Sequence, residues 1–192
     1  GGYISVPVSI AAFLMRVPVY VHESNSIAGS ANKINNIFSK ITFQTFPGTF
    51  PSSKKTILSG NPIKDSFSKI LKSERKYKNR RETLNLLIFG GSQGARFFNH
   101  NIPSCINHFG NKFNVIHITG TQDKNLVEKI YNNSDMKAEV IEFSHEIDKL
   151  YDWSDIIICR SGSMTVSEIC QANRAAILVP FLYATDNHQY SN

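Results

Sequence analysis

The sequence predicts an α/β fold built on a doubly wound parallel sheet, and two observations support this. Short apolar runs alternate with helical segments from residue 83 onward, and the runs at 156–159 and 176–179 are apolar at every position. Alternating strands and helices are typical of parallel sheets, because a parallel pair needs a long crossover connection. Strands without polar alternation are buried on both faces, so we expect helices on both sides of the sheet.

The elements follow in chain order. Three strands are predicted first, at 18–22, 40–45 and 56–58, with a helix at 28–38 after the first of them. Pro47 and Pro51 place a loop after the second strand, and Gly60-Asn61-Pro62 marks a turn after the third. Five further strands are predicted at 84–89, 115–119, 139–141, 156–159 and 176–179. The helices that connect them are predicted at about 95–108, 124–132, 146–153 and 165–172.

A basic stretch separates the two parts of the chain. Many of the residues between 69 and 81 are lysine or arginine, and Glu74 is the acidic residue among them. Blocks of like charge are usually solvated helices or linkers. We therefore predict a first domain at 1–64, a basic linker region at 65–82 and a second domain at 83–192.

Composition limits the class of protein. The chain has 192 residues, 41% of them hydrophobic, and a formal net charge of +6. The charge favours an anionic partner, but no aromatic stacking pattern or known module supports nucleic-acid binding. The three cysteines form no C-x-x-C pair, which indicates reduced thiols in a cytoplasmic protein. The chain opens on Gly1-Gly2 and closes without a helix-ending signal, so we expect an internal piece of a longer protein.

A glycine-rich turn at residues 90–96 follows the strand at 84–89 and precedes a predicted helix. Glycines let the backbone approach a ligand, and the free N–H groups of a helix start favour negative charge. The turn matches neither the dinucleotide fingerprint nor a P-loop. It is therefore either a phosphate site or a plain strand-to-helix turn.

A second small-residue turn, at 160–168, follows the strand at 156–159. Its serines and threonine suit an anion or a sugar hydroxyl at a helix start. Glu168 lies about one turn into that helix, where its carboxylate can accept two hydrogen bonds from a cis-diol such as ribose. Alternatively, Thr165 is the N-cap and Glu168 is its capping-box partner.

Six motifs together resemble the MurG family of bacterial glycosyltransferases. They occur in the family's order, at 1–3, 22–25, 60–62, 90–96, 160–168 and 186–189. The resemblance implies a GT-B fold of two Rossmann-like domains, with the N-terminal domain incomplete and the second truncated at its C-terminus. It also implies an inverting transfer of N-acetylglucosamine from UDP-N-acetylglucosamine to the C4 hydroxyl of the muramoyl sugar of lipid I, forming lipid II in peptidoglycan synthesis.

The resemblance further implies a UDP-sugar site. The diphosphate is expected at Ser92, Gln93 and Gly94, the uracil at backbone groups of Ser144, and the ribose at Glu168. The remaining expected substrate contacts are Asn25, Lys64, Asn99, Arg160, Ser163, Met164, Thr165 and Gln189. Lys64 stands where the family usually has arginine, so a bidentate contact becomes a single ammonium.

Some of these positions have simpler explanations. The residues alone leave Asn99 open as a helix-surface position and Arg160 as a structural ion-pair partner. The family pattern implies that Asn25 and Gln189 contact the donor sugar. It also implies that Ser163, Met164 and Thr165 line the phosphate and sugar region.

The base that deprotonates the acceptor is sought among His22, Glu23 and Tyr3, and the family's own glycine-rich histidine motif is expected before residue 1. His22 at a strand end can instead satisfy a backbone carbonyl. Backbone donors and helix dipoles can stabilise the leaving diphosphate, so we expect neither a cofactor nor a metal, and no carboxylate cluster has metal-ligand spacing.

The lipid-linked acceptor implies a peripheral protein at the cytoplasmic face of the bacterial membrane. Residues 3–15 are too short to span a bilayer, but Phe13, Leu14 and Met15 beside Arg16 suit interfacial contact. An ordinary buried helix is the alternative.

Other functions fit the same pattern. A UDP-sugar epimerase, another lipid-directed GT-B transferase and a UDP-sugar-binding piece without turnover are the alternatives. A nicotinamide-dependent oxidoreductase is disfavoured because the fingerprint G-x-G-x-x-G is missing.

Overall fold

A computed structural model describes residues 2–72, 83–91, 96–181 and 188–192. Ser92, Gln93, Gly94 and the basic residues from 73 to 82 lie outside the described residues. Within the described part, the chain alternates helices and strands, and its strands form two parallel sheets. The α/β prediction is therefore confirmed.

The first sheet has three parallel strands in the order β1-β2-β3. Its elements are α1 (Ser5–Leu14), β1 (Val19–Glu23), α2 (Ser30–Phe38), β2 (Ser39–Gln44) and β3 (Thr56–Leu58). Strand β2 begins directly where α2 ends, one residue earlier than predicted. In the register of the pair, Glu23 at the end of β1 lies opposite Gln44 at the end of β2.

The second sheet has five parallel strands in the order β6-β5-β4-β7-β8. The strands are β4 (Leu84–Phe89), β5 (Phe113–Ile118), β6 (Lys137–Ile141), β7 (Ile156–Cys159) and β8 (Ala175–Leu178). The helices are α3 (Asp65–Lys72), α4 (Arg96–Asn107), α5 (Lys124–Asn132), α6 (Ile147–Trp153), α7 (Ser163–Ala172) and the short α8 (His188–Ser191). The strand order reverses between β4 and β7, as it does in doubly wound sheets that bind ligands at the carboxyl ends of their strands.

The sheet core explains why these segments are strands. Leu86 and Ile88 of β4 pack with Val115 of β5 and with Phe98 and Val127 from helices α4 and α5. All positions of β4 after the first are buried, as expected for a central parallel strand. Strand β8 is mostly exposed within the described residues, so the expectation that helices cover both of its faces is wrong, because β8 lies at the edge of the sheet. Helix α7 ends before Asn173, whose φ of 50° is the left-handed conformation that asparagine tolerates at a helix end.

The chain divides into two compact units, and each unit is made of segments that are not consecutive in the sequence. The first unit contains Gly1–Ile63, Ser161–Ser167 and Pro180–Asn192. The second contains Lys64–Arg160 and Glu168–Val179. The start of α7 is thus grouped with the first sheet, while Glu168 is grouped with the second.

Helix α1 is mostly exposed. Ser9 is its buried residue, whereas Phe13, Leu14 and Met15 are 54%, 75% and 75% exposed. The expectation of an ordinary buried helix at residues 3–15 is therefore wrong, because one face of α1 packs on α2 and the rest faces outward. Of the helices described, none has the length and apolar character needed to cross a membrane.

Candidate functional site

The carboxyl end of β4 leads into the predicted phosphate turn. Gly90 and Gly91 follow Phe89, and Gly91 has a φ of 102°. A Cβ at Gly91 would meet no atom within 4 Å, so glycine is required there by backbone conformation and not by lack of space. The predicted diphosphate contacts at 92–94 follow directly but lie outside the described residues, and they stay predictions.

Helix α7 starts earlier than the capping-box hypothesis requires. The helix begins at Ser163, and the N–H of Val166 donates to the carbonyl of Gly162 at 2.9 Å. Thr165 is therefore the third residue of the helix and not its N-cap, so the capping box of Thr165 and Glu168 is wrong. The carboxylate of Glu168 is consequently not used to satisfy the helix start.

Asn61 helps to set where α7 begins. Its side-chain nitrogen donates to the carbonyl of Ser163 at 3.2 Å and to the hydroxyl of Ser167 at 3.0 Å. Its oxygen accepts a hydrogen bond from the Thr45 hydroxyl at 2.9 Å. The Gly60-Asn61-Pro62 motif thus holds the first turn of the helix, a role that sequence reasoning did not assign.

Glu168 is half-buried and contacts a buried tyrosine. The hydroxyl of Tyr151 donates to Oε2 of Glu168 at 3.2 Å. Burial raises the pKa of the Glu168 carboxyl, and the hydrogen bond from Tyr151 and the charge of Lys64 offset only part of this rise. Sequence reasoning missed Tyr151. The available signal was a residue with a polar hydroxyl next to Leu150 in a predicted helix.

Asn99 and Arg160 are engaged inside the second unit. Asn99 is 1% exposed, so the expectation of a helix-surface residue is wrong. Its side-chain nitrogen donates to the carbonyl of Thr119 at 3.0 Å and to Oδ2 of Asp123 at 2.9 Å, which fixes the turn after β5. The guanidinium carbon of Arg160 lies 4.8 Å from the ring centre of Phe98, and desolvation lowers the pKa of this arginine.

His22 is exposed at the surface, and its Nε2 lies 3.0 Å from the carbonyl oxygen of Gly60. A carbonyl only accepts, so Nε2 carries the proton in this contact. The structure therefore contains a hydrogen bond from His22 to a backbone carbonyl, as the alternative to a role as base predicts.

Glu23 is 4% exposed and its carboxylate is used by its own loop. Oε1 accepts from the N–H and the side-chain nitrogen of Asn25, at 3.0 and 3.3 Å. Oε2 accepts from the N–H of Gly29 at 3.1 Å and from the side-chain nitrogen of Asn32 at 2.8 Å. Four donors on one carboxylate fix the loop between β1 and α2.

An open cavity of about 310 Å³ lies beside this loop. Its walls include Gly2, His22, Glu23, Asn25 and Asn32, all in the first unit. The volume is at the lower end of that of small-molecule sites. Two of the three candidate bases, His22 and Glu23, thus line a space that a small polar group can enter.

Asn25 and Gln189 belong to one hydrogen-bond network in the first unit. Asn192 donates to Oδ1 of Asn25 at 3.5 Å and to the carbonyl of Ser161 at 3.1 Å. The Ser161 hydroxyl donates to the carbonyl of Gln189 at 2.6 Å, and Oε1 of Gln189 accepts from the N–H of Phe181 at 2.8 Å. The two predicted sugar contacts are therefore connected through Ser161 and Asn192.

The other predicted site residues differ in exposure. Ser163 is buried and Thr165 is half-buried, whereas Tyr3, Lys64 and Met164 are exposed. Ser144 follows β6, and its hydroxyl accepts the N–H of Glu146 at 3.2 Å. No group of three or more histidine, cysteine or acidic side chains suited to a metal occurs in the described ranges.

Comparison with known proteins gives two family matches. The profile of the glycosyltransferase family 28 C-terminal domain matches residues 85–192, and that of the family 28 N-terminal domain matches residues 1–44. The chain is similar over its whole length to two proteins named UDP-N-acetylglucosamine--N-acetylmuramyl-(pentapeptide) pyrophosphoryl-undecaprenol N-acetylglucosamine transferase. It is 36% identical to that of Coxiella burnetii and 40% identical to that of Wigglesworthia glossinidia brevipalpis.

The chain spans about half the length of the curated relatives it matches, 54% and 53% of these two. Among solved structures, it is similar to the crystal structure of Acinetobacter baumannii MurG, with a TM-score of 0.83 and 33% identity, covering 100% of this chain and 54% of that one. A UDP-GlcNAc 2-epimerase from Neisseria meningitidis has a TM-score of 0.62 at 14% identity, over 90% of this chain and 55% of that one, a likeness of fold alone.

Proposed function

Because the chain belongs to glycosyltransferase family 28, we propose that it takes part in the transfer of N-acetylglucosamine from UDP-N-acetylglucosamine to the muramoyl sugar of lipid I, which forms lipid II. Its two parallel sheets are part of a GT-B fold. The names of the relatives support this donor and acceptor. The observation that carries the proposal is the half-buried carboxylate of Glu168, which accepts from Tyr151 through Oε2 and has further lone pairs that suit a ribose diol.

The nucleotide binds through separate groups in this proposal. Glu168 accepts hydrogen bonds from the ribose hydroxyls, and backbone groups near Ser144 bind the uracil. Backbone N–H groups of the glycine turn, with Ser92, Gln93 and Gly94, bind the diphosphate. Donors at this point stabilise the charge that develops on the leaving UDP, which is the main electrostatic demand of the reaction.

The sugar and acceptor bind near the loop between β1 and α2 in the same proposal. Asn25 and Gln189 contact the donor sugar, and the acceptor hydroxyl reaches His22 or Tyr3 as base. The four hydrogen bonds on Glu23 support a holding role for this carboxylate, because a proton acceptor needs a free lone pair. Lys64, Ser163, Met164 and Thr165 complete the proposed substrate contacts, while Asn99 and Arg160 act through the segments that they hold.

The nucleotide preference tests the proposed function. We expect the chain to bind UDP or UDP-N-acetylglucosamine at least about tenfold more tightly than ADP or NAD. Backbone groups that a turn fixes opposite the edge of uracil do not match the edge of adenine, so polar groups are left unpaired when adenine binds. Isothermal titration calorimetry with the four ligands measures this difference. Equal or tighter binding of the adenine ligands would contradict the proposal.

We also propose that α1 brings the protein to the membrane surface. Leu14 and Met15 are largely exposed, and Arg16 adds a positive charge beside them. Replacing Leu14 and Met15 together with glutamate is expected to reduce cosedimentation with phosphatidylglycerol vesicles at least about fivefold. Replacing the exposed Phe109 and Leu126 together with glutamate is the control matched in charge, and this variant should bind as the unmodified chain does. Equal losses in both variants would contradict this role of α1.

A further inference from the structure

The hydroxyl of Tyr151 is a buried polar group to which the proposed reaction gives no part. Tyr151 is 0% exposed, and its ring packs edge-on against Phe67 at 5.1 Å and at a tilt against Phe89 at 5.9 Å between ring centres. Its hydroxyl donates to Oε2 of Glu168 at 3.2 Å. All four residues belong to the second unit. The tyrosine is thus fixed by aromatic packing and directs its polar end at one carboxylate.

The direction of this hydrogen bond is set by the surroundings. Burial, and then the negative charge of Glu168, raise the pKa of Tyr151, so the phenol keeps its proton. A protonated phenol beside a carboxylate is the donor. Burial raises the pKa of Glu168, and the hydrogen bond from Tyr151 offsets part of this rise because it stabilises the charged form of the carboxylate.

The bond also fixes the orientation of the carboxylate. A glutamate side chain has several rotatable bonds, and ordering it on ligand binding costs free energy. Tyr151 holds Oε2 before any ligand binds. Among the described residues, this leaves Oε1 and the second lone pair of Oε2 to accept hydrogen bonds from two neighbouring hydroxyls. Hydrogen bonds to a charged, preoriented acceptor are stronger than those to a neutral or mobile one.

We propose that Tyr151 is a positioning residue for nucleotide binding, which holds the Glu168 carboxylate turned toward a ribose diol. The inference rests on the proposed function, in which Glu168 binds the ribose. Tyr151 touches no part of the nucleotide and acts only through Glu168.

Tyr151→Phe tests the inference because phenylalanine keeps the ring contacts and removes the hydroxyl. We expect the dissociation constant for UDP to rise about five- to tenfold. Tyr131→Phe is the matched control, since Tyr131 is also buried, at 2% exposed, and its hydroxyl contacts Nδ1 of His117 at 3.1 Å. The control should lose a comparable amount of thermal stability and bind UDP as the unmodified chain does.

Two further measurements separate positioning from a general structural effect. With 2′-deoxyuridine diphosphate, which has no diol, the effect of Tyr151→Phe on the dissociation constant should fall to less than about twofold. In the background of Glu168→Ala, Tyr151→Phe should have no further effect on UDP binding. Additive losses in the double variant would overturn the inference.

The outcomes distinguish failure of the inference from failure of the proposed function. If Glu168→Ala weakens UDP binding and Tyr151→Phe leaves it unchanged, Tyr151 has no positioning role and the proposed function stands. If Glu168→Ala itself leaves UDP binding unchanged, the ribose contact of the proposed function fails, and the inference fails with it.

Discussion

Replacing Glu168 with alanine is expected to weaken UDP binding about 100-fold, the largest effect that we expect from one substitution at the proposed site. The change removes two hydrogen bonds from ribose hydroxyls to a charged acceptor, each worth about 1.5–3 kcal/mol. A 100-fold change corresponds to about 3 kcal/mol, within what those two bonds supply. Calorimetric titration of UDP into the purified variant measures it.

Two controls show whether the loss is local. Glu139→Ala removes an exposed carboxylate from β6 and should leave UDP affinity unchanged. Glu168→Gln keeps the shape of the side chain without its charge and should fall between the alanine variant and the unmodified chain. Because alanine leaves the buried Tyr151 hydroxyl without this acceptor, we also expect a loss of about 1–3 kcal/mol in the free energy of unfolding, which a circular dichroism melt checks. Unchanged UDP affinity in a folded Glu168→Ala variant would refute the ribose contact.

The second large effect concerns the stability of the chain in acid. His117 of β5 is 0% exposed, and burial lowers its pKa from 6.5 to about 4. The unfolded chain takes up this proton near pH 6.5, whereas the folded chain does so only near pH 4. The unfolded state therefore binds more protons in that window, and stability falls as the pH falls through it. At about 1.4 kcal/mol per pKa unit, the loss reaches about 3 kcal/mol.

Urea unfolding at pH 7 and pH 4.5 tests this expectation. In His117→Gln, the decrease in unfolding free energy between the two pH values should be smaller than in the unmodified chain by about 2–3 kcal/mol. His108→Gln, which replaces an exposed histidine directly after the end of α4, should retain the full decrease. An identical decrease in all three proteins would show that His117 does not titrate as its burial implies.

The alternation of strands and helices could be predicted because it depends on local pattern. The strands Thr56–Leu58 and Ile156–Cys159 and the helix Lys124–Asn132 begin and end where the sequence indicates. Hydrophobic periodicity reports burial of neighbouring residues, so it finds elements without knowing their partners. The division at residues 65–82 and the roles at 92–94 stay predictions.

The start of α7 could not be predicted from local spacing. Thr165 followed by Glu168 fits a capping box, but Asn61, more than 100 residues earlier, bonds Ser163 and Ser167 instead. A contact so distant in sequence leaves no periodic signal around the helix. Local spacing also does not reveal that Asn99 is buried, because its hydrogen-bond partners lie in the turn after β5.

Glu23 shows a different limit of sequence reasoning. Beside His22, it resembles half of an acid–base pair, yet its carboxylate accepts hydrogen bonds from Asn25, Gly29 and Asn32. All of these donors lie within nine residues, so a signal was present in the two asparagines. Residue type alone does not say whether a carboxylate serves a substrate or its own loop.

The discontinuous first unit has a consequence for the order of events during synthesis. Its segments Ser161–Ser167 and Pro180–Asn192 leave the ribosome long after Gly1–Ile63. At about 5–20 residues per second, the nascent first sheet waits on the order of 10 s for the last of them. Strand β1, the loop that Glu23 holds and helix α1 with its exposed apolar residues are therefore made well before the segments that complete their unit.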